Sequence, residues 1–361
     1  MKHYNKHNVH VLEMKRRHDM IIHYQCPNCA GNMSFDATNG MLTCPSCLYE
    51  ESIEQHPEEL ITTEFEETDA KEYNCNNCSA VLITDADTVA THCSFCGSNV
   101  VLADRISGTL APAKVIPFTI SKEEAIAAFK KWCRNGLLTP KGFASEERLQ
   151  SITGIYVPFW LYDFQSDIHV RASGNIVRTY TSGDYIITEK KVYDVERELH
   201  LRYLKIPADA STKMNDELMD KLEPYVYGEM QDFNSAYLAG FIAEKYNLTD
   251  EELKPRVLKK IDPYIQGNIK RSLDGYNTYS IHHKDIDTKT VKTYYTLLPV
   301  WMITEDYENE EFMFAMNGQT GKVVGKPPLS KKKVAAWFGG IAGGMLLVLK
   351  TISAVMGGGF L

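Results

Sequence analysis

From about Arg105 the apolar positions fall into alternating strand-like and helix-like stretches. Lys114-Val-Ile-Pro-Phe-Thr-Ile reads as a strand. Ser121 then opens a helix, and Glu124 three residues later completes a capping box. That helix carries Phe129 and Trp132 and stops at Gly136. A strand-rich stretch over 152–206 follows, then a helical one over 213–273, where Thr249 and Glu252 form a second capping box. Strands return over 276–325, and Asn317-Gly318 is a hairpin-turn signal between Phe312–Met316 and Lys322–Val324. The span 105–326 thus predicts an α+β domain with mainly antiparallel strands. Tyr156-Val-Pro-Phe-Trp-Leu161 is similar to Leu297-Leu-Pro-Val-Trp-Met302, and both introduce strands followed by polar, acidic residues. The similarity suggests two related β layers around one core, or a chance likeness between two aromatic strands.

The last stretch has a different pattern. Pro327-Pro328 breaks the fold, Lys331-Lys-Lys333 follows within a basic linker over 327–333, and Val334–Leu349 carries no charge. At a rise of about 1.5 Å per residue those residues span about 24 Å as a helix, and continuing to Met356 gives about 34 Å. A hydrocarbon core is about 30 Å thick, so the apolar tail over 334–361 is read as a membrane anchor. Lys350 then lies towards the far end, where it snorkels, and Trp337 suits the interface. The three lysines place the preceding domains on the cytoplasmic face. Gly339-x3-Gly343 and Gly340-x3-Gly344 form a small-residue face on which two tails can pack into a homo-oligomer. The same glycines weaken helix propensity, and the competing reading is a tail that lies on the membrane or docks on a partner.

Cysteine spacing organises the first hundred residues. Cys26-x2-Cys29-x14-Cys44-x2-Cys47 recurs as Cys75-x2-Cys78-x14-Cys93-x2-Cys96, every cysteine displaced by 49 positions. A CxxC turn sets two sulfurs on one side of an ion, and a hairpin brings back the second pair to complete a thiolate tetrahedron. Two small β zinc ribbons follow, over 24–50 and 73–104, joined by an acidic linker over 51–72 and preceded by an extension over 1–23. Each is expected to hold one structural Zn2+, because four thiolates leave no open position for catalysis and a ribbon this small relies on metal to fold. His92, beside Cys93, is expected on the hairpin surface, and Cys133 in the core of a helix. Met1–Arg17 lacks an apolar core of the kind a secretion signal needs. Paired CxxC motifs then point to metal in a reducing compartment rather than to disulfides.

Charge decides between partners. The chain is −8 overall, but residues 19–104 hold fifteen acids and one base, Lys71, so this segment is −14 and the remainder +6. Each zinc–tetrathiolate centre adds a further −2. Phosphate binding relies on Lys and Arg, so nucleic acid is unlikely to be bound by these ribbons, and protein partners suit them better. A nucleic-acid reading must use the dispersed pairs Lys130-Lys131, Lys190-Lys191, Lys259-Lys260 and Lys270-Arg271. Apolar content of 44% and 20 tyrosines supply a sizeable, strand-rich core. No GxxxxGK[ST], HExxH, GxSxG or kinase signature is present; Gly318-Gln-Thr-Gly321-Lys322 lacks the P-loop spacing, and His282-His283 reads as a solvated pair. An enzyme in 105–326 would therefore need a site without a local signature.

The two ribbons, the Ile-Pro-Phe strand and helix, Gly154-Ile-Tyr-Val-Pro-Phe-Trp-Leu-Tyr-Asp163, and Asn317-Gly-Gln-Thr-Gly-Lys-Val-Val-Gly325 before an apolar tail together resemble the bacterial TFIIB-type zinc-ribbon membrane proteins. The resemblance implies companionship with phage-shock-type coat proteins and flotillin-like SPFH proteins in membrane-stress systems. Such proteins also carry helicase-like or primosomal labels, which the missing motor motifs here do not support. The expectation is a non-enzymatic adaptor at the inner face of the cell membrane.

Overall fold

The computed structural model describes residues 21–355, apart from 23, 56–69, 76, 79, 86, 94, 95, 103–111, 141, 142, 144–148, 150, 308 and 309. Most of the N-terminal extension, most of the acidic linker and residues 356–361 of the tail lie outside the described residues. In chain order the strands of the cysteine region are β1 (Ile21–Ile22), β2 (Ser34–Asp36), β3 (Met41–Thr43), β4 (Glu50–Glu51), β5 (Ala70–Asn74), β6 (Val81–Asp85), β7 (Thr88–His92) and β8 (Asn99–Leu102). Then come β9 (Lys114–Val115), α1 (Lys122–Asn135), β10 (Thr153–Ser182), β11 (Tyr185–Asp209), α2 (Asp216–Lys221), β12 (Gln231–Asp232) and β13 (Ile242–Glu244). The chain finishes with α3 (Asp250–Ser272), β14 (Thr278–Tyr307), β15 (Glu310–Asn317), β16 (Val323–Gly325) and α4 (Lys331–Val355).

One sheet of eleven strands dominates, ordered β1-β8-β7-β13-β10-β14-β15-β16, with β11 beside β10, β9 beside β14 and β12 beside β9. Antiparallel pairing does not describe it completely: β13 runs parallel to β10, and β9 parallel to β14, so the sheet is mixed. Local sequence could not show this, because parallel partners are distant in the chain. Both capping boxes form as the Ser121/Glu124 and Thr249/Glu252 spacings predict. The helical expectation over 213–273 holds for α2 and α3, while 227–249 folds into short turns and two two- or three-residue strands. The hairpin after β15 forms where Asn317-Gly318 signals it, through a turn over 318–320 followed by Gly321 at positive φ (73°). Gly318 is needed for another reason: a Cβ there would lie 2.6 Å from the Phe118 ring.

The two aromatic segments that look alike in sequence lie side by side as neighbouring antiparallel strands. Val157 pairs with Leu298, its own counterpart in the similarity, so the likeness is a local two-fold. The axis extends well beyond this pair. Tyr156 and Leu297 are each flanked by a parallel strand, at Ala243 and Val115 respectively. The Pro158 carbonyl accepts from Ala210 N (2.8 Å) and the Pro299 carbonyl from Gly318 N (2.9 Å). Asn247 N and Leu248 N donate to Ala210 O, and Thr119 N and Ile120 N to Gly318 O. Trp160 Nε1 donates to Leu248 O and Trp301 Nε1 to Ile120 O, both at 3.0 Å. Each indole therefore anchors the residue just before a capping box. The domain is a duplicated strand–helix–hairpin unit, β9-α1-β10-β11 and β13-α3-β14-β15, whose copies exchange their short first strands.

This arrangement explains two prolines inside central strands, where the missing amide donor normally excludes them. On the outer edge of β10 the partner changes from β13 (at 155–156) to β11 (from Phe159), and Pro158 stands at the handover. Pro299 occupies the same place where β14 passes from β9 to β15. Each proline directs its donor-free nitrogen into a gap where no strand needs a donor.

Helix α3 buries Leu253, Val257, Ile261, Ile265 and Ile269 against Ile168, Val170 and Phe164 of β10. Arg256 on the same helix meets Asp209 (2.9 Å), Asp216 (3.0 Å) and Asp220 (3.1 Å), so one guanidinium ties α3 to β11 and α2. Asp209 is fully buried. Burial pushes its carboxyl up to about 6, against the opposing pull of Arg256 and with the help of Asp216.

Trp160→Phe and Trp301→Phe each strip one hydrogen bond from a half-buried pre-helix carbonyl. Each is expected to lower stability by about 1–2 kcal/mol in urea unfolding, with similar losses at the two positions. Asp209 binds its proton more tightly in the native state than in the unfolded chain. Its contribution is complete below about pH 4 and is lost as pH rises through 6, up to about 3 kcal/mol. Asp209→Asn is expected to remove that part of the fall in stability between pH 4 and 6, measured as the difference between the two chains' unfolding curves.

Candidate metal centres

Four short CxxC loops build the centres. Cys26 and Cys29 lie between the Gln25↔Asn32 bridge and its return, Cys44 and Cys47 between β3 and β4, Cys75 and Cys78 between β5 and β6, and Cys93 and Cys96 between β7 and β8. Each loop is closed by an amide of its first cysteine: Cys26 N to Gly31 O, Cys44 N to Tyr49 O, Cys75 N to Ala80 O and Cys93 N to Ser98 O, all 2.8 Å. The residue after the second cysteine turns the chain with positive φ at Ala30 (57°), Leu48 (60°) and Gly97 (71°). All eight predicted ligands converge into two groups of four, with every sulfur within 4.8 Å of the others in its group. His92 and Cys133 belong to neither. His92 closes β7 on the wall of a cleft, and Cys133 is buried in α1, where burial pushes its thiol up to about 11.

The donor set fits a tetrahedral metal. Zinc–sulfur bonds of about 2.3 Å put tetrahedral sulfurs about 3.8 Å apart. The closest sulfurs are 3.4 Å (Cys26–Cys47) and 3.5 Å (Cys29–Cys44) in the first group, and 3.8 Å (Cys75–Cys96) and 3.7 Å (Cys78–Cys93) in the second. Space beside the first group is tight: a Cβ on Gly31 would sit 3.3 Å from the Cys29 sulfur and 3.4 Å from that of Cys44. Surrounding donors support thiolate charge. The Cys47 amide, with burial opposing it, pulls the Cys44 thiol down to about 6. The Ser98 hydroxyl and then the Asn77 amide pull Cys96 to about 5. At Cys47 the Tyr49 amide pulls downward, but hydrogen bonding with Cys26 and burial outweigh it and push the thiol up to about 12. Without a cation the thiols would therefore share protons unequally. A divalent ion displaces them, so uptake releases protons and weakens in acid.

Both ribbons are joined to the main domain. In the second, β7 pairs with β13 and β8 with β1, so this ribbon continues the eleven-stranded sheet. Lys245 N donates to Asp87 O, and Lys213 pairs with Asp85 (2.9 Å). The first ribbon keeps its own sheet, β2-β3-β4, and docks through Phe35. That ring packs on Tyr237 and Phe241, and its amide donates to Ala239 O. Tyr24 OH meets Ser235 Oγ at 2.8 Å, and Asn99 of the second ribbon donates to Met33 O of the first. Sequence reasoning found the ligands but not these docking residues, whose partners are up to 211 positions away.

The chain is 59% identical over 341 residues to "Uncharacterized protein YdjG" of Bacillus subtilis (strain 168), covering 94% of this chain and the whole of the relative. It belongs to the YdjG family. No family model matches the chain, and no solved structure matches it. Within the YdjG family, then, the centres of this member have to be understood from their own geometry.

Two features besides the centres bear on activity. A cleft of about 590 Å³ lies between the first ribbon, β7 and the start of α1, lined by Asp36, His92, Ser121, Lys122 and Trp301 among others. On the solvent face of the long strands, His169 pairs with Glu196 and His200 with Asp167, both at 2.7 Å, while His282 meets Ser173 Oγ at 3.0 Å.

Cys26→Ser is expected to remove one of two bound metal equivalents and to lower the melting temperature of the whole domain, because Phe35 and Tyr24 carry the loss into the core. Metal analysis combined with thermal unfolding reads both effects. An unchanged metal content would show that the first group is not a metal centre.

Proposed function

We propose that this protein is a membrane-anchored adaptor of the TFIIB-type zinc-ribbon kind, with two structural zinc ions and its folded domains on the cytoplasmic face. The observation that carries the reading is α4. Lys331–Ile352 is long and apolar enough to cross a membrane, and none of it is buried against the protein. A helix with leucine, isoleucine, valine and phenylalanine on its surface requires an apolar cover, and the lysines at its start favour the cytoplasm for the domain before it. Zinc supports the reading as structural metal, since both thiol groups lie in ribbons that brace the sheet and each is closed by four sulfurs.

The surface offered to partners is the distal end of the long strands. Beyond the Asn175↔Thr278 pair, β10 and β11 continue alone as a two-stranded arm to Ser182 and Tyr185. Tyr180, Tyr185 and Ile186 on it are 52–77% exposed. Exposed aromatic and aliphatic side chains of this kind suit protein partners, and flotillin-like or phage-shock-type proteins in a membrane-stress response are the proposed class. Tail glycines 339, 340, 343 and 344 face open space and offer a packing face for a second copy. The basic pairs offer less to nucleic acid: they stand on α1, β11 and α3, with Lys191 engaged by Glu189 and Lys260 by Asp220.

Cells expressing the full chain, and a chain ending at Ser330, separate the possibilities. The full chain is expected in the membrane pellet after carbonate washing and the shortened chain in the supernatant. Release of both by carbonate would remove the anchor and with it the adaptor reading.

A further inference from the structure

The start of α4 is fixed to the body rather than hung from a free linker. Ser330 N donates to Leu138 O (2.8 Å) and Lys333 Nζ to Thr139 O (2.6 Å), both in the loop just after α1. Ser330 also caps the helix, receiving Lys333 N at 3.4 Å. Whatever surface α4 enters must therefore pass close to the C-terminal end of α1. That end is basic on its outward face: Lys131 and Arg134 are exposed opposite the buried Ala125, Phe129 and Cys133, with the half-buried Lys130 beside them. Two apolar side chains protrude beside them, Leu137 (61% exposed) and Leu329 (64% exposed).

Lys331, Lys332 and Lys333 complete six cationic residues around the base of α4. Their position is unfavourable for the helix itself, because the first turn already bears the positive end of the helix dipole. No acid occurs in 125–143 or in 326–361 to offset them. Among the described residues, Lys131, Arg134, Lys331 and Lys332 take part in no salt bridge. Cations gathered against a helix dipole, four of them outside any salt bridge and beside exposed leucines, match an external surface that is anionic outside and apolar within.

We propose that the C-terminal end of α1, the 136–140 loop and the start of α4 form a collar that binds the headgroups of anionic phospholipids. Leu137 and Leu329 dip into the interface and Arg134 and the lysines engage the phosphates. The collar holds the body at a fixed orientation against the bilayer, which a flexible linker would not do. This inference rests on the anchoring reading above.

The test uses the full chain reconstituted in phosphatidylcholine vesicles with and without about 30% phosphatidylglycerol, a level at which juxtamembrane basic residues respond to lipid charge. Hydrogen exchange is followed over 131–140, and carbonate resistance is measured on the same samples. Exchange is expected to slow on the anionic vesicles alone. The protection is expected to disappear in 0.5 M NaCl and in the Lys131→Gln, Arg134→Gln double variant, with carbonate resistance unchanged throughout. Equal exchange on both vesicle types, with the chain still carbonate-resistant, overturns the collar and leaves the anchor standing. Release by carbonate overturns the anchor and the collar together. Equivalent protection by short duplex DNA on phosphatidylcholine vesicles would make the patch a nucleic-acid surface and also overturn the lipid assignment.

Discussion

Everything in the domain is arranged around one antiparallel contact, Val157 against Leu298. Because these residues are counterparts, the axis between them forces each half to complete the other. The short strand of one unit lies beside the long strand of its partner, and each indole reaches across to the partner's pre-helix carbonyl. Neither half has a complete edge by itself. Pro158 and Pro299 are tolerated only because the handover between two neighbouring strands occurs at the same point in both copies. Slipping β10 against β14 by one residue would reverse the inward face of both strands and would also separate the prolines from their gaps.

The ribbons stand outside this two-fold but depend on it. β7 attaches to β13, one of the exchanged strands, so the second ribbon extends a sheet that exists only once both units have paired. The first ribbon then seats Phe35 between Tyr237 and Phe241, residues of the segment leading into that same strand. Metal bound at the two thiol groups would therefore do more than fold two small loops: it would stabilise a strand that without the ribbon exposes unpaired amides and carbonyls. This ties the ribbons' chemistry to support of the sheet, whatever partner the exposed surfaces take.

How legible this was in the sequence differs by feature for physical reasons. The two cysteine clusters were fully legible, because a four-thiolate site demands the CxxC spacing and the same motif recurs 49 residues later. The capping boxes were legible because they are decided within four residues. The aromatic similarity was visible but its meaning was not: Pro-x-Trp signals a strand, and nothing local states that the two strands are neighbours across an axis. The parallel pairings at β9 and β13 left no trace, since strands of two or three residues carry no period. Asn317-Gly318 signalled a turn that exists, yet Asn317 serves a different task. Its side chain is buried, donating to Leu222 O and Pro224 O and accepting from Gln319 N and Thr320 N.

The glycines of α4 look like a weakness in a helix proposed to cross a membrane, since each costs about 1 kcal/mol relative to alanine in water. That cost arises largely because the unfolded backbone gains freedom and hydrogen bonds to water. In hydrocarbon no water is offered, and an opened backbone amide or carbonyl would cost several kcal/mol. The helix is therefore held by its own hydrogen bonds, and the glycines become a flat strip for close packing instead of a break. Lys350 fits the same logic. It lies nineteen positions beyond Lys331, about 28 Å along the axis, so in a spanning helix its ammonium would reach the far interface while its stem stayed in the apolar layer. A helix with charge towards its two ends and glycine along one side has the pattern a bilayer favours.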